Sequence, residues 1–129
     1  MKKLDNFRNC LAVLKSSDRE MAKSNDIYRT GVIGQFNLTF ELAWKLLQEV
    51  LRLHAVAEAE TGSPREIIKL GFRVGFITDD EAWSAMLSDR NRSVHIYDEE
   101  DIMSIIERVF DMYIPAFEVF CDTMIEKAK

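Results

Sequence analysis

Apolar residues recur along this chain at the three- and four-residue steps of an α-helix. The first run has four members: Leu4, Phe7, Leu11 and Leu14. It predicts one buried face of a first helix, which fades around residues 24–26. A second run extends from about Ile27 to His54. At the α-helical rise per residue, it predicts a helix about 40 Å long.

The apolar arc of this second helix is wide. One stripe contains Phe36, Phe40, Ala43, Leu47 and Val50, and it is thickened by Leu38, Leu42, Leu46 and Leu53. The polar side is narrow and consists of Glu41, Lys45, Gln48 and Arg52. An arc of this width predicts a central helix that is covered on more than one face, by its own bundle and by a partner.

Two further helix starts carry capping signals. In Ser63-Pro64-Arg65-Glu66 the serine is placed at the N-cap, the proline at the first helical position and the glutamate at the third, which is a capping box. Thr78-Asp79-Asp80-Glu81 repeats this logic. Between the two, Gly75 fits the position just beyond the end of the short third helix. The long helices are thus predicted to be interrupted by short ones.

The last helix is predicted to begin at Asp98-Glu99-Glu100-Asp101, whose acidic side chains suit the positive end of a helix dipole. Its expected buried face is Ile102, Ile106, Val109, Tyr113, Phe117, Phe120 and Met124. Pro115 interrupts this pattern and predicts a kink, because it lacks a backbone N–H. Together the patterns predict an all-α fold, an antiparallel four-helix up-and-down bundle with a short extra helix inserted after the second long helix.

Length and composition narrow the class of protein. A chain of 129 residues suits one hydrophobic core, so we expect residues 1–129 to form a single domain. No apolar stretch approaches the ~20 residues that span a bilayer, and the N-terminus lacks a signal-peptide pattern. We therefore expect a cytoplasmic protein with no membrane contact.

Cys10 and Cys121 lie far apart with no nearby histidine, so we expect reduced thiols and neither a metal site nor a cofactor.

The net charge of −5 excludes a protein that coats nucleic acid through a uniformly basic surface. The charge is unevenly spread, because residues 98–129 carry three basic and nine acidic side chains. Any polyanion would have to avoid this C-terminal segment. A local basic patch in the middle of the chain stays compatible with the composition.

Candidate chemistry concentrates in residues 90–97. Arg90 follows Trp83, Met86 and Leu87 at helical steps, so it projects from the apolar side of its helix. Its planar guanidinium suits a carboxylate or a phosphate. An unperturbed imidazole exchanges a proton near neutral pH, which makes His95 a candidate for proton transfer. On one straight helix, however, it would lie about 140° from Arg90.

Each of these residues also has a structural interpretation. Arg90 on an apolar face can pair with Glu41 or Asp89 and hold the bundle together. A basic stripe on the short third helix consists of Arg65, Lys69 and Arg73, and Arg92 adds a further cation near the motif. These four side chains can bind the phosphates of a polyanion, or they can be solvated helix faces.

Several blocks of this sequence resemble a known family. The segment from Arg90 to His95 matches the Arg-x4-6-His motif of HEPN domains, and Tyr97 completes the longer Arg-x4-His-x-Tyr form. Val94 departs from the small hydroxyl residue expected before the histidine. The chain more specifically resembles the nucleotidyltransferase substrate-binding protein family, a HEPN branch. The blocks that carry this resemblance are Phe40-Glu41-Leu42-Ala43-Trp44-Lys45, Ser63-Pro64-Arg65-Glu66, and Trp83 with Met86-Leu87 and Asp89-Arg90-Asn91.

The resemblance implies a small helical bundle, commonly a homodimer, in complex with a minimal nucleotidyltransferase called MNT. In toxin–antitoxin versions the HEPN protein is a metal-independent ribonuclease, which the MNT partner neutralises by transferring AMP from ATP onto the motif tyrosine. On this chain the resemblance makes Arg90 and His95 catalytic and Tyr97 the AMP acceptor, with Asn91 and Glu41 supporting the motif. The alternative is a noncatalytic adaptor that presents or recognises the substrate of a nucleotidyltransferase.

Overall fold

A computed structural model describes residues 1–93 and 98–129, and within these ranges the chain is helical with no strand. The α-helices are α1 (Lys2–Lys15), α2 (Arg19–Ser24), α3 (Asp26–Leu53), α4 (Pro64–Arg73), α5 (Asp80–Ser93), α6 (Glu99–Arg108) and α7 (Ile114–Lys127). A 3₁₀ turn spans Ala57–Glu60, and a π-helical segment, Val109–Tyr113, joins α6 to α7. None of the described helices is both long enough and apolar enough to cross a membrane.

The four walls of the bundle are α1, α3, α5 and the continuous helix formed by α6, the π segment and α7. α4 is the extra helix, and it packs against α3 and α5. The core is rich in aromatic rings, which come from all four walls: Phe7, Phe36, Phe40, Trp83, Tyr113, Phe117 and Phe120. Full burial of such a side chain stabilises a fold by about 1.5–3 kcal/mol. The all-α bundle expected from the sequence is confirmed.

The first helix is shorter than the apolar pattern predicted. α1 ends at Lys15, and α2 is a separate helix whose N-cap is Asp18. The Asp18 carboxylate accepts hydrogen bonds from the backbone N–H groups of Glu20 (2.9 Å) and Met21 (3.2 Å). A side chain that satisfies these N–H groups starts a new helix at this point, so the expectation of one helix reaching residue 24 is wrong.

The central helix matches its prediction closely. It runs from Asp26 to Leu53 and is capped by Asn25, whose side chain accepts from the N–H of Tyr28. The predicted apolar stripe is fully buried. Two of the residues expected to thicken it are instead exposed, Leu38 by 51% and Leu53 by 57%. The apolar surface of α3 is therefore wider than the part that the rest of the chain buries.

The predicted helix signals around α4 are present. Ser63 and Glu66 exchange the two hydrogen bonds of a capping box. Gly75 has a φ of +84°, and its N–H bonds to the carbonyl of Phe72 while the next N–H bonds to the carbonyl of Gly71. This is a Schellman motif, which favours glycine at the left-handed position. At α5 the capping side chain is Asp79, which accepts from Ala82 N–H at 3.0 Å, rather than Thr78.

The proline in the last wall is accommodated by a change of helix type. Pro115 lies in the first turn of α7, directly after the π segment, where Ile114 N–H donates to the carbonyl of Val109 five residues earlier. Proline cannot donate a hydrogen bond to an earlier carbonyl, and the wider π turn just before it lets the helix continue past the missing bond. The other residues of the expected buried face are buried, except Ile102, which is half-buried. Ile105, which the pattern did not include, is buried.

Candidate functional site

Arg90 lies in the last turn of α5, against the middle of α3. Its Nη2 donates to the Glu41 carboxylate at 2.8 Å, and its guanidinium carbon lies 6.0 Å from the centre of the Phe40 ring. The side chain is 33% exposed, so the guanidinium is anchored on one side and open to solvent on another. The structure thus realises one of the two ion pairs that the sequence offered for Arg90, the pair with Glu41.

The Glu41 carboxylate is paired with two cationic side chains, those of Arg90 and Lys45. Lys45 Nζ lies 3.4 Å from its other carboxylate oxygen, one turn further along α3. Asn91 is exposed, and its side-chain oxygen lies 3.5 Å from Arg90 Nη1, at the outer limit of a hydrogen bond. Two cations against one anion leave a local positive charge at this surface, on a protein that is acidic as a whole.

Hydrogen bonds that the sequence did not reveal tie the end of α5 to α3. The Asn37 side-chain N–H donates to Ser93 Oγ at 3.0 Å, and Ser93 Oγ donates to the carbonyl of Arg90 at 3.0 Å. One signal was available, because Asn37 precedes Glu41 by four residues and shares its face of α3. These two bonds hold the last turn of α5 in place.

A second, buried anchor lies one residue before Arg90. Asp89 is 2% exposed and accepts two hydrogen bonds from Arg108, at 2.7 Å and 2.9 Å, and one from the Tyr113 hydroxyl. The pKa of Tyr113 is raised mainly by burial and secondly by its hydrogen bond to Asp89. The hydrogen bond to Asp89 also raises the pKa of Arg108. Tyr113 therefore stays a neutral donor. The sequence signal was an acidic residue on the buried side of α5, which must find a partner there.

Arg92 lies on the exposed side of the same turn. Its guanidinium is 3.8 Å from Asp89 and 3.7 Å from Asp101 of α6. Both distances are long for a strong ion pair, and the side chain is about half exposed. Arg92 thus lies close to Arg90 along the chain and stays accessible to an anion.

His95 and Tyr97 lie outside the described residues, so their roles stay predictions. The described chain leads up to them on both sides, through Ser93 at the end of α5 and through Asp98, which caps α6 by accepting from the N–H of Glu100 at 2.8 Å. Both flanking residues are thus engaged in hydrogen bonds.

The basic stripe of α4 is exposed, and none of the hydrogen bonds or ion pairs among the described residues joins it to Arg90. α4 packs on α3 where Gly71 meets Leu47, about 9 Å further along the helix than Glu41. Arg73 is ion-paired with Glu58. A hydrogen bond from the backbone N–H of Glu58, together with Arg73, lowers the pKa of the Glu58 carboxyl group. Arg65 and Lys69 are exposed on this helix, and an RNA role for the stripe stays a prediction.

A cavity of the described chain lies away from these residues. Its volume is about 330 Å³, and it lies between the loop that precedes α5 and the start of α7, with Phe76, Trp83, Pro115 and Val119 among its walls. None of the described candidate residues lines it. The described candidate residues therefore lie outside this cavity, on the surfaces of α3, α4 and α5.

Comparisons with known proteins agree with this architecture. A family model described as "Nucleotidyltransferase substrate binding protein like" matches residues 2–126. A curated relative, the probable ribonuclease HepT of Haemophilus influenzae, is 29% identical over 109 residues, which is 79% of this chain and 75% of the relative.

Two solved structures superpose on the chain. HI0074 of Haemophilus influenzae, described as the fold of a substrate binding domain of a nucleotidyltransferase, has a TM-score of 0.80 at 21% identity, and the match covers 95% of this chain and 98% of that one. A protein from Thermus thermophilus has a TM-score of 0.69 at 30% identity, with the same coverage.

Proposed function

This chain belongs to the nucleotidyltransferase substrate binding protein like family, and on that premise we propose that it is the ribonuclease of a HEPN/MNT toxin–antitoxin pair. In this proposal it is a cytoplasmic, single-domain, homodimeric protein that binds a minimal nucleotidyltransferase. It cleaves RNA without a metal ion until the partner transfers AMP onto Tyr97. The relative named a probable ribonuclease supports the activity.

The observation that carries the proposal is the arrangement of Arg90. Its guanidinium is held by Glu41 on one side and is open to solvent on the other. An anchored guanidinium with free donors suits the non-bridging oxygens of a phosphodiester, where charge develops during cleavage. Lys45 and Arg92 add positive charge beside it.

The proposed reaction needs one proton acceptor in addition. His95 takes the proton of a ribose 2′-hydroxyl, and the 2′-oxygen attacks the adjacent phosphorus. The P–O5′ bond breaks, a cyclic 2′,3′-phosphate forms, and the 5′-oxygen leaves as a hydroxyl with a proton from water, after which His95 returns its proton to the solvent. Arg90 stabilises the charge on the phosphoryl oxygens. Arg92 contacts the flanking backbone, and the α4 stripe provides a second contact.

Neutralisation follows from the position of the tyrosine. The partner transfers AMP from ATP to the Tyr97 hydroxyl, and pyrophosphate leaves. The attached nucleotide places bulk and a negative phosphodiester two residues from His95. Like charge then repels an incoming RNA backbone.

An uncovered strip of α3 supports the homodimer. Ile27 is 85% exposed and Leu38 is 51% exposed, and Gly31 and Gly34 between them have open space where a Cβ would lie. The four residues are spaced by four, three and four positions, as in a helix seam. The strip ends one turn before Glu41, so a second copy packed on it would lie beside Arg90.

A second candidate function is the noncatalytic adaptor. It is favoured by the ion pair itself, because a guanidinium already bound by Glu41 can be purely structural. The description of HI0074 as a substrate binding domain fits this candidate as well. In it, Arg90 would bind a phosphate of the nucleotidyltransferase substrate without cleaving it.

The deciding experiment is RNA cleavage by the purified chain without its partner, in the presence of a chelator. We expect His95→Ala and Arg90→Ala to lose cleavage. The matched controls are His54→Ala, at the chain's other histidine, and Arg8→Ala, at an exposed arginine of α1, and both should cleave normally. Equal cleavage by His95→Ala and the wild type would overturn the ribonuclease. Expression of the chain alone adds a cellular readout, because growth arrest should depend on the same two residues.

A further inference from the structure

The π segment and α5 share a buried polar contact that the proposed reaction does not use. Asp89 lies in the core with Arg108 and Tyr113 bonded to its carboxylate. The Tyr113 ring also stacks on Phe36 at 4.9 Å, with an interplanar angle of 19°. Thus α5 and the last wall of the bundle meet at the Asp89 carboxylate, one residue before Arg90, and the Tyr113 ring links them to α3.

The convergence of Arg108 and Tyr113 depends on the π segment. Residues five apart on an α-helix point about 140° away from each other, so an unbroken α-helix would direct these two side chains to different neighbours. In a π turn the backbone bond spans five residues, and Ile114 to Val109 is such a bond. The wider turn brings residues five apart towards one face. Both side chains then reach Asp89.

We propose that Asp89, Arg108 and Tyr113 form a positioning device for Arg90, in which the π segment fixes the last turn of α5 against α3. This inference rests on the proposed function, because it assigns the device to the phosphate-binding arginine. Asp89 holds the turn from inside, and the bond between Asn37 and Ser93 holds it from the α3 side. Between the two anchors, the backbone of Arg90 has little freedom to shift.

The burial of this carboxylate argues for a specific purpose. Removing a charge from water costs several kcal/mol, and its partners restore that cost only when the geometry is good. An apolar residue at position 89 would fill the core without this cost. Asp89 instead receives three hydrogen bonds from one short stretch of chain. Such a network selects one geometry, which is what a positioned guanidinium requires.

Tyr113→Phe is the main test variant, because it removes the hydroxyl and keeps the ring that stacks on Phe36. We expect kcat for RNA cleavage to fall by roughly tenfold or more, with little change in KM, since small misplacement of a catalytic group is costly. Tyr28→Phe is the matched control. It also removes a tyrosine hydroxyl that is hydrogen-bonded, in this case to Asp18 N–H, but it lies away from α5, and its kcat should be unchanged.

A double variant separates positioning from general stability. If Tyr113 acts through Arg90, then Tyr113→Phe combined with Arg90→Lys, which keeps the charge, should cleave no more slowly than Arg90→Lys alone. If the two losses multiply, the proposal is overturned. Arg108→Lys should behave like Tyr113→Phe, whereas Arg19→Lys, which alters the ion pairs of Arg19 with Glu107 and Asp111 on the same wall, should keep the wild-type kcat.

A spectroscopic readout keeps this test separate from the ribonuclease proposal. The Nη–H signal of Arg90, assigned with Arg90→Lys, reports by NMR on the hydrogen bond that Nη2 donates to Glu41. We expect Tyr113→Phe to shift this signal and speed its hydrogen exchange, and Tyr28→Phe to leave it unchanged. If the wild-type chain does not cleave RNA, the proposed function fails, while this signal still decides whether Asp89 and its partners position Arg90. An Arg90 signal that is identical in all variants contradicts the inference.

Discussion

Arg90 and Glu41 are joined across α5 and α3 by a 2.8 Å hydrogen-bonded ion pair, although 49 positions separate them in the sequence. The pair is about one-third exposed on both sides. Exposed ion pairs contribute about 0–1 kcal/mol to stability. Its main consequence is therefore the direction of the Arg90 guanidinium rather than the free energy of unfolding.

Glu41→Gln should show this difference between orientation and stability. We expect the free energy of unfolding to fall by less than about 1 kcal/mol, while kcat for RNA cleavage falls roughly tenfold because Arg90 loses its charged anchor. Urea denaturation and single-turnover cleavage measure the two quantities. Glu49→Gln is the control, since Glu49 also lies on α3 and pairs with Lys3 and Arg52. A large loss of stability without a loss of rate would contradict the expectation.

The exposed strip of α3 predicts a charge-sensitive dimer. Leu38→Lys should convert the dimer to a monomer, because it places a charge in an apolar interface. Sedimentation at several protein concentrations measures the change. Leu53→Lys provides the comparison, because Leu53 is similarly exposed on the same helix but lies outside the strip. If both variants stay dimeric, the second copy binds elsewhere.

The ion pairs of Arg19 predict a dependence of stability on pH. Hydrogen bonds from Arg19 lower the pKa of both Glu107 and Asp111. Groups with a lowered pKa in the folded state stabilise it above their unfolded pKa, about 4.3 for Glu and 3.9 for Asp, and this contribution is lost as the pH falls through the folded values. The difference in unfolding free energy between the wild type and Arg19→Met should therefore be largest near pH 6 and shrink towards pH 3.

Arg8→Met is the reference for this measurement, because Arg8 is an exposed arginine of α1. Its difference from the wild type should change little over the same pH range. A difference for Arg19→Met that stays constant between pH 6 and pH 3 would show that the two carboxylates do not contribute in this way.

The capping box of α4 predicts a local loss of stability. Ser63→Ala removes the side chain that accepts from Glu66 N–H and should cost about 1 kcal/mol. Thermal and urea unfolding measure it. Ser104→Ala is the matched control, because that hydroxyl bonds to a carbonyl inside α6 and alanine favours a helix interior. Equal stability of Ser63→Ala and wild type would mean that the box does not hold the helix start.

The sequence predicted those structural elements that depend on interactions between residues a few positions apart. The bounds of α3, the capping box at Ser63 and the left-handed Gly75 depend on local hydrogen bonds and on side-chain spacing, and all were found where expected. The break before α2 was missed, because apolar spacing continues across Asp18 while the cap interrupts the backbone. Of the predicted site residues, Arg90 contacts Glu41 and Asn91, while Arg65, Lys69 and Arg73 lie on α4. The functional roles of all of them stay predictions.

By itself, the sequence determined an all-α bundle and placed its candidate chemistry in residues 90–97, because helical periodicity, caps and short motifs are properties of neighbouring residues. Tertiary structure decided which carboxylate binds Arg90, and it brought Arg108 and Tyr113 together on Asp89 through a π segment. Those contacts join distant parts of the chain. They depend on the register in which helices pack, and a single sequence does not specify that register through any local signal.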